Sequence, residues 1–159
     1  MTEREASHPL LRRIVSGGQT GVDRAALDAA IECQIEHCGW CPLGRRAKDG
    51  RIDDKYQLRE TDTREYHVRT ELNVQLAVGT LILARTELSG GTQLTRRMAI
   101  KHRKPYLIVD PTAATDVITT IIWLTEEKID LLNIAGPRES SSPGIYAASL
   151  AMLRALFSH

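Results

Sequence analysis

Hydrophobic positions along the chain fall into two alternating patterns, which are short continuous apolar runs and stripes at helical spacing. The runs predict strands at residues 13–16, 35–40, 78–84, 105–110 and 131–136. The stripes predict helices at residues 22–32, 64–76, 92–102, 112–128 and 143–157. Because parallel neighbours need crossover helices, the alternation predicts an α/β fold: a doubly wound, Rossmann-like three-layer sandwich with a mainly parallel sheet of about five strands.

Composition and charge narrow the class of protein. The length of 159 residues predicts one domain over residues 1–159. The composition, with 42% hydrophobic and 26% charged residues, excludes a disordered chain. A net charge of +1 lacks the positive excess of general nucleic-acid binders. No apolar run reaches the roughly 18 residues of a membrane span, and the polar start MTEREASHPLLRR carries no signal. We therefore expect a cytoplasmic protein that binds neither nucleic acid nor membrane.

The first candidate site is the loop after the first predicted strand. Two glycines open it, and Thr20 and Asp23 have the spacing of a capping box at the start of the next helix. Such a loop predicts outward backbone amides that cradle a phosphate at a helix N-terminus. The alternative is an ordinary tight turn. The candidate residues are Gly17, Gly18, Gln19, Thr20, Gly21 and Asp23.

Two further loops follow predicted strands and carry similar chemistry. The first pairs glycines with hydroxyls at Gly90, Gly91, Thr92 and Thr95. The second contains Gly136, Pro137, Arg138, Glu139 and Ser140, and there we expect Ser142 and Pro143 to begin the last helix. Ligands of doubly wound sheets bind beyond the carboxyl ends of the strands. The three loops therefore predict one shared site for a small phosphate-bearing ligand.

A basic segment and a CxxC pair are the remaining candidates. Arg45 and Arg46 lie in a charged loop that is either solvated surface or a lid over phosphate. Cys38 and Cys41 are separated as in redox or zinc motifs, but no second ligand pair follows, so packing thiols are favoured. Neither GxSxG nor HExxH occurs, and a hydrolytic triad is therefore unsupported.

The motifs together resemble a known family. The segments SGGQTGVDRAALDAA, GWCPLGRRAKDGRI, LSGGTQLT, KPYLIVD and LNIAGPRESSSPGIY, in this order, are similar to the molybdenum cofactor carrier family, over about residues 13–157. This family belongs to a Rossmann-like group that includes lysine-decarboxylase-like phosphoribohydrolases. The resemblance implies a binding protein that carries the molybdenum cofactor, a pterin phosphate that holds an oxo-metal. It also implies that the protein forms homo-oligomers. Molybdoenzymes would then be the recipients of the cofactor.

The resemblance implies the same site residues as the loops above, with Arg45 and Arg46 added. The chain also departs from its relatives. In the phosphoribohydrolase motif PGGxGTxxE, Thr95 occupies the glutamate position, so the catalytic carboxylate is missing. Leu72 and Val78 stand where the carrier family usually has a tryptophan and often an acidic residue. Two alternatives stay open. The first is a nucleotide or nucleoside-phosphate hydrolase that uses Asp23 or Glu139 as acid or base. The second is a nucleotide-sensing module.

Overall fold

The structure alternates strands and helices from one end to the other. The computed structural model describes residues 10–113 and 115–159, so most of the polar start lies outside the described residues. The elements in chain order are β1 (Arg13–Val15), α1 (Val22–Glu32), β2 (Glu36–Cys38), β3 (Trp40–Cys41), β4 (Arg46–Ala47), β5 (Gly50–Arg51), β6 (Arg59–Glu60), α2 (Tyr66–Leu76), β7 (Gly79–Leu83), α3 (Gly90–Lys101), β8 (Tyr106–Val109), α4 (Asp116–Glu126), β9 (Leu131–Ala135) and α5 (Ile145–Phe157).

Five of these strands form one sheet, in the order β2-β1-β9-β7-β8. Every neighbouring pair is parallel, and residues Val15 and Asn133 are opposite each other where β1 meets β9. The last strand of the chain is therefore inserted between two earlier ones. The predicted parallel sheet of about five strands is confirmed.

Helices cover both faces of this sheet. The β1–α1–β2 and β7–α3–β8 units step in opposite directions along the sheet, and right-handed crossovers then place α1 and α3 on opposite faces. Helix α1 packs against α5, which also contacts α4, while α2 packs against α3. Fully buried aliphatic side chains fill the space between, among them Ile14, Leu27, Leu132 and Leu153. The predicted three-layer, Rossmann-like sandwich is confirmed.

The segment between β2 and α2 is more ordered than the sequence indicates. Strands β4 and β5 form a short antiparallel hairpin, and β3 pairs in parallel with β6. The predicted second strand is accordingly divided, since only β2 belongs to the large sheet. Within residues 10–113 and 115–159, no helix combines the length and hydrophobicity that a membrane span requires.

Candidate functional site

A cleft of about 280 Å³ opens at the carboxyl ends of β1, β9 and β7. These strands are neighbours in the sheet, so the loops that follow them share one rim. All three predicted loops contribute to the cleft, together with the start of α2. The predicted site residues that line it are Gln19, Asp23, Gly90, Gly91, Thr92, Thr95, Gly136, Pro137 and Arg138. The other predicted residues lie outside its lining: Gly17, Gly18, Thr20, Gly21, Arg45, Arg46, Glu139 and Ser140.

The first loop is a turn in which three backbone amides bond to side chains of the protein. The Gly18 amide donates to the Ser16 hydroxyl at 3.2 Å, and the Gln19 amide donates to the Asp23 carboxylate at 3.2 Å. The Thr20 amide donates to the Gln19 side chain at 3.0 Å. The expectation of outward amides is therefore wrong for these three residues, because side chains of the same segment already accept their amides. Thr20 is also not the cap of α1, whose N-cap is Gly21 without a side-chain hydrogen bond.

Gly21 holds the first and third loops together. Its φ of +80° is in the left-handed region, and an added Cβ would overlap the carbonyl oxygen of Pro137 and lie 2.8 Å from the amide nitrogen of Glu139. The Val22 amide donates to the same Pro137 oxygen at 3.3 Å. The glycine is thus needed for close packing of two backbone segments, and this contact sets one wall of the cleft.

The N-terminus of α3 is open towards the cleft. Its N-cap, Ser89, makes no side-chain capping bond, and the first turn has no acidic residue. No partner in the described part of the chain accepts the amides of Gly90, Gly91 and Thr92. A Cβ built on either glycine meets nothing within 4 Å. Free amides and the positive end of the helix dipole make this end of α3 suited to an anion.

Thr95 supports the geometry of this helix end from within. Its hydroxyl donates to the carbonyl oxygen of Gly91 at 3.0 Å, and the residue is buried on the cleft side of α3. Because the Thr95 hydroxyl proton is donated to this carbonyl oxygen, it is not available to a ligand in this arrangement. Thr95 therefore lines the cleft without presenting an acid or a base.

A buried ion pair lies at the floor of the cleft. Asp23 is 4% exposed, and its carboxylate lies 3.3 Å from the Arg69 guanidinium on α2. Burial raises the pKa of Asp23, while Arg69 and the hydrogen bond from Gln19 act in the opposite direction. The pair connects the first loop to α2 and thereby positions that helix at the rim.

Tyr66, at the start of α2, lies beneath a cluster of cations. The guanidinium carbons of Arg46, Arg138 and Arg69 lie 4.5, 4.9 and 5.4 Å from the centre of its ring. Each distance is within the range of a cation–π contact. Tyr66 is not among the site residues predicted from the sequence. The available signal is its spacing from Arg69, which puts an aromatic ring and a cation on one face of a helix.

Arg45 and Arg46 have different surroundings despite being adjacent. The buried Arg45 guanidinium donates to the carbonyl oxygens of Ile52, Asp53, Tyr56 and Leu58, at 2.7–3.2 Å. It holds the loop in shape and does not face the cleft, contrary to the expectation of a lid cation. The exposed Arg46 instead lies against Tyr66 and is the part of the basic loop that approaches the rim.

Glu139 caps α5. Its carboxylate accepts the amides of Gly144 and Tyr146, at 2.5 and 2.9 Å. The last helix therefore begins at Ile145 with Gly144 as its N-cap, and the prediction of Ser142 and Pro143 at its start is wrong. The capping role also occupies Glu139, which the hydrolase alternative had considered as an acid or base. Ser140 is exposed on the same connection.

The cysteines show the character of packing residues. All three are free thiols, and Cys41 is completely buried. Burial raises the pKa of both Cys38 and Cys41, which keeps these groups in the unreactive thiol form at neutral pH. Across residues 10–113 and 115–159, no three histidine, cysteine, aspartate or glutamate side chains are placed to hold a metal ion.

The fold and the cleft define a Rossmann-like α/β protein with a polar cleft at the carboxyl rim of its sheet. Comparison with family models places the protein more narrowly. The chain belongs to the circularly permutated YpsA SLOG family, whose model matches residues 14–157. No curated protein sequence gives a significant match.

A solved structure is closely similar. A protein from Syntrophus aciditrophicus described as a "putative molybdenum carrier protein" superposes with a TM-score of 0.88 at 44% sequence identity. The match covers 95% of this chain and 97% of that protein. The similarity agrees with the family resemblance drawn from the motifs, and the assignment to a molybdenum carrier family is confirmed.

Proposed function

We propose that this chain binds a small phosphate-bearing ligand in the cleft, and that the ligand is the molybdenum cofactor carried as cargo. The observation that carries the proposal is the open N-terminus of α3, where Gly90, Gly91 and Thr92 present amides that have no acceptor among the described residues. The description of the similar protein as a molybdenum carrier supports this choice of ligand. A nucleotide or another phosphate ester is the alternative cargo with the same phosphate contact.

The physical basis is the match between a phosphate and a free helix end. The N-terminus carries about half a positive charge, and three amides converge there on a group that accepts hydrogen bonds. Arg138 lines the same cleft and contributes a positive charge there, while the charge of Arg69 is balanced by Asp23. The first loop contributes a wall rather than a cradle, because the amides of Gly18, Gln19 and Thr20 are already occupied.

The size and lining of the cleft indicate how much of the cargo is enclosed. A volume of about 280 Å³ is at the lower end of ligand pockets. It suits the phosphate and part of a ring system, with the remainder at the open rim.

Transfer of cargo tests this function. We expect the purified protein to accept molybdenum cofactor from a donor enzyme and to reconstitute an apo nitrate reductase. Gly91→Asp places a carboxylate at the open helix end, where a Cβ meets nothing within 4 Å, so it competes with the phosphate without disturbing the fold. We expect at least about a tenfold loss of cofactor binding, from one lost charged hydrogen-bond set.

The matched control adds the same charge elsewhere. Thr119→Asp lies on the exposed face of α4, outside the cleft lining, and leaves binding unchanged. Loss of binding in both variants would show a general charge effect. Absence of transfer by the unmodified protein would remove the carrier function.

The second candidate is a nucleoside-phosphate hydrolase, which Asp23 favours. Its buried carboxylate lines the cleft, and burial raises its pKa while the paired Arg69 acts in the opposite direction. Glu139 does not serve this role, since it caps α5. Release of ribose 5-phosphate from nucleoside monophosphates, abolished by Asp23→Asn, would establish the hydrolase in place of the carrier.

Partners and location belong to the same proposal. A carrier requires molybdoenzymes as recipients, and the family resemblance implies homo-oligomers in the cytoplasm. Light scattering of the purified protein measures the oligomer. Pull-down of cofactor-free molybdoenzymes by the loaded chain tests the recipients, with the Gly91→Asp variant as the unloaded control.

A further inference from the structure

Three arginines share the ring of Tyr66 at the rim of the cleft. They come from separate parts of the chain: Arg46 from the β4–β5 hairpin, Arg69 from α2 and Arg138 from the loop after β9. Like charges repel at such separations, and the ring face offsets only part of this repulsion. The arrangement is therefore one that a bound anion stabilises.

Carboxylates balance only one of the three charges. Arg69 pairs with Asp23 at 3.3 Å. Arg46 donates to the carbonyl oxygen of Arg64 at 3.0 Å, which leaves its charge in place. Among residues 10–113 and 115–159, no carboxylate lies within 4.0 Å of the Arg46 or Arg138 guanidinium. Two positive charges on one ring are thus without a counter-ion.

This cluster is a second anion-binding element, different in kind from the first. The end of α3 offers backbone amides, which match one tetrahedral phosphate. The Tyr66 cluster offers guanidinium groups, whose planar forks match a second oxyanion. Tyr66 and Arg138 line the same cleft as Gly90 and Thr92, and Arg46, outside the lining, contacts the same ring, so both elements border one cleft.

We infer that the cleft recognises a ligand with two anionic groups, one at the N-terminus of α3 and the other at Arg46 and Arg138, with Tyr66 as their positioning residue. The inference rests on the proposed phosphate site at α3. The shared chemistry is a diphosphate ester, or a phosphate ester that also carries an oxyanion such as a molybdenum oxo group. Since guanidinium groups contact the Tyr66 ring, the ring positions these cations and does not stack on the ligand.

Calorimetric titration of the full chain with inorganic anions tests the inference. We expect pyrophosphate to bind at least about tenfold more tightly than phosphate, the gain expected of one added charged contact. Arg46→Gln and Arg138→Gln each remove this preference, while the affinity for phosphate changes by less than about threefold. Arg97→Gln, an exposed arginine of α3 outside the cleft lining, is the charge-matched control and keeps the preference.

Substitutions of Tyr66 separate positioning from simple structure. Tyr66→Leu removes the ring face and lowers the preference for pyrophosphate about two- to fivefold for each arginine that loses its contact, because an exposed cation–π contact contributes about 0.5–1 kcal/mol. Tyr66→Phe keeps the ring and restores the preference. A loss that Phe fails to restore would contradict a positioning role for the ring.

Molybdate distinguishes the two ligand chemistries. Binding of molybdate to phosphate-saturated protein, lost in Arg46→Gln, indicates a phosphate ester with a separate oxyanion. A preference for pyrophosphate without binding of molybdate indicates a diphosphate ester. Equal affinities for phosphate and pyrophosphate, with no molybdate binding, would overturn the inference and leave the phosphate site intact. Absence of phosphate binding itself would refute the proposed function as well.

Discussion

Replacing Gly21 with alanine tests whether packing of the first loop on the third loop shapes the cleft. The added Cβ would overlap the carbonyl oxygen of Pro137 and lie 2.8 and 2.9 Å from backbone atoms of Glu139 and Arg138. None of these neighbours is the end of a flexible side chain, so the two backbone segments must separate. We expect both lower stability and a distorted cleft.

Two effects determine the size of the loss. A non-glycine residue in the left-handed region costs about 1–2 kcal/mol, and forced overpacking costs about 1–3 kcal/mol. Their sum is about 2–5 kcal/mol, a large part of the stability of an ordinary domain. For a chain of this length, a central loss of about 3 kcal/mol lowers Tm by about 6–12 °C.

Gly144→Ala is the control for a glycine that has a positive φ but free space around its Cα. Its φ of +89° is close to the +80° of Gly21, while its ψ is −4° and that of Gly21 is −127°, and the nearest atom to its added Cβ is a side-chain nitrogen of Arg85 at 3.6 Å. We therefore expect only the backbone cost of about 1–2 kcal/mol. Thermal and urea unfolding measure both variants. Equal losses in the two would refute the close packing of the loops as the source of the effect.

Three further predictions concern the surroundings of the site. Asn73→Leu removes both side-chain hydrogen bonds to the Trp40 backbone, at 2.8 and 3.0 Å. We expect urea unfolding to show a free energy of unfolding lower by about 2–4 kcal/mol. A decrease of less than about 1 kcal/mol would contradict this role of Asn73. The Arg24 hydrogen bond lowers the pKa of the half-exposed Asp49, so its stabilisation is present above the unfolded pKa and is lost as pH falls through the folded pKa. Asp49→Asn therefore costs less than about 1 kcal/mol at pH 7, and the difference from the unmodified protein narrows below about pH 4; a difference that widens there would contradict the assignment. Cys41 is buried, and burial raises its pKa. In a variant whose other two cysteines are replaced by serine, we expect a thiol reagent to modify Cys41 only when the protein unfolds. Rapid labelling of the native protein would contradict its burial.

Much of the candidate site could be predicted from local sequence patterns. The paired glycines Gly90 and Gly91 indicated a helix end that faces a ligand, and they form the first turn of α3, whose end is open. The similar pattern at Gly17 and Gly18 indicated the same chemistry, but its amides bond to Ser16, Gln19 and Asp23. A glycine pair permits a turn in either case, and only the positions of the accepting side chains decide where the amides point.

Charged residues show the same limit more strongly. Arg45 and Arg46 are equivalent in sequence terms, yet one is buried among carbonyl oxygens and the other lies on Tyr66. Tyr66 itself is visible in the sequence only as one position of a helical stripe. Its arginine partners at positions 46 and 138 are 20 and 72 residues away, so no local spacing predicts that they meet.

The sequence by itself determined the elements and their order, because hydrophobic periodicity reports which residues within one helix or strand share a buried face. Helix α1 accordingly has the predicted bounds of Val22–Glu32. The tertiary structure alone decided that β9 is inserted between β1 and β7. The physical reason is that strand order depends on pairing between residues over a hundred positions apart, as between Val15 and Asn133. That pairing brings the three loops to one rim and thereby forms the cleft.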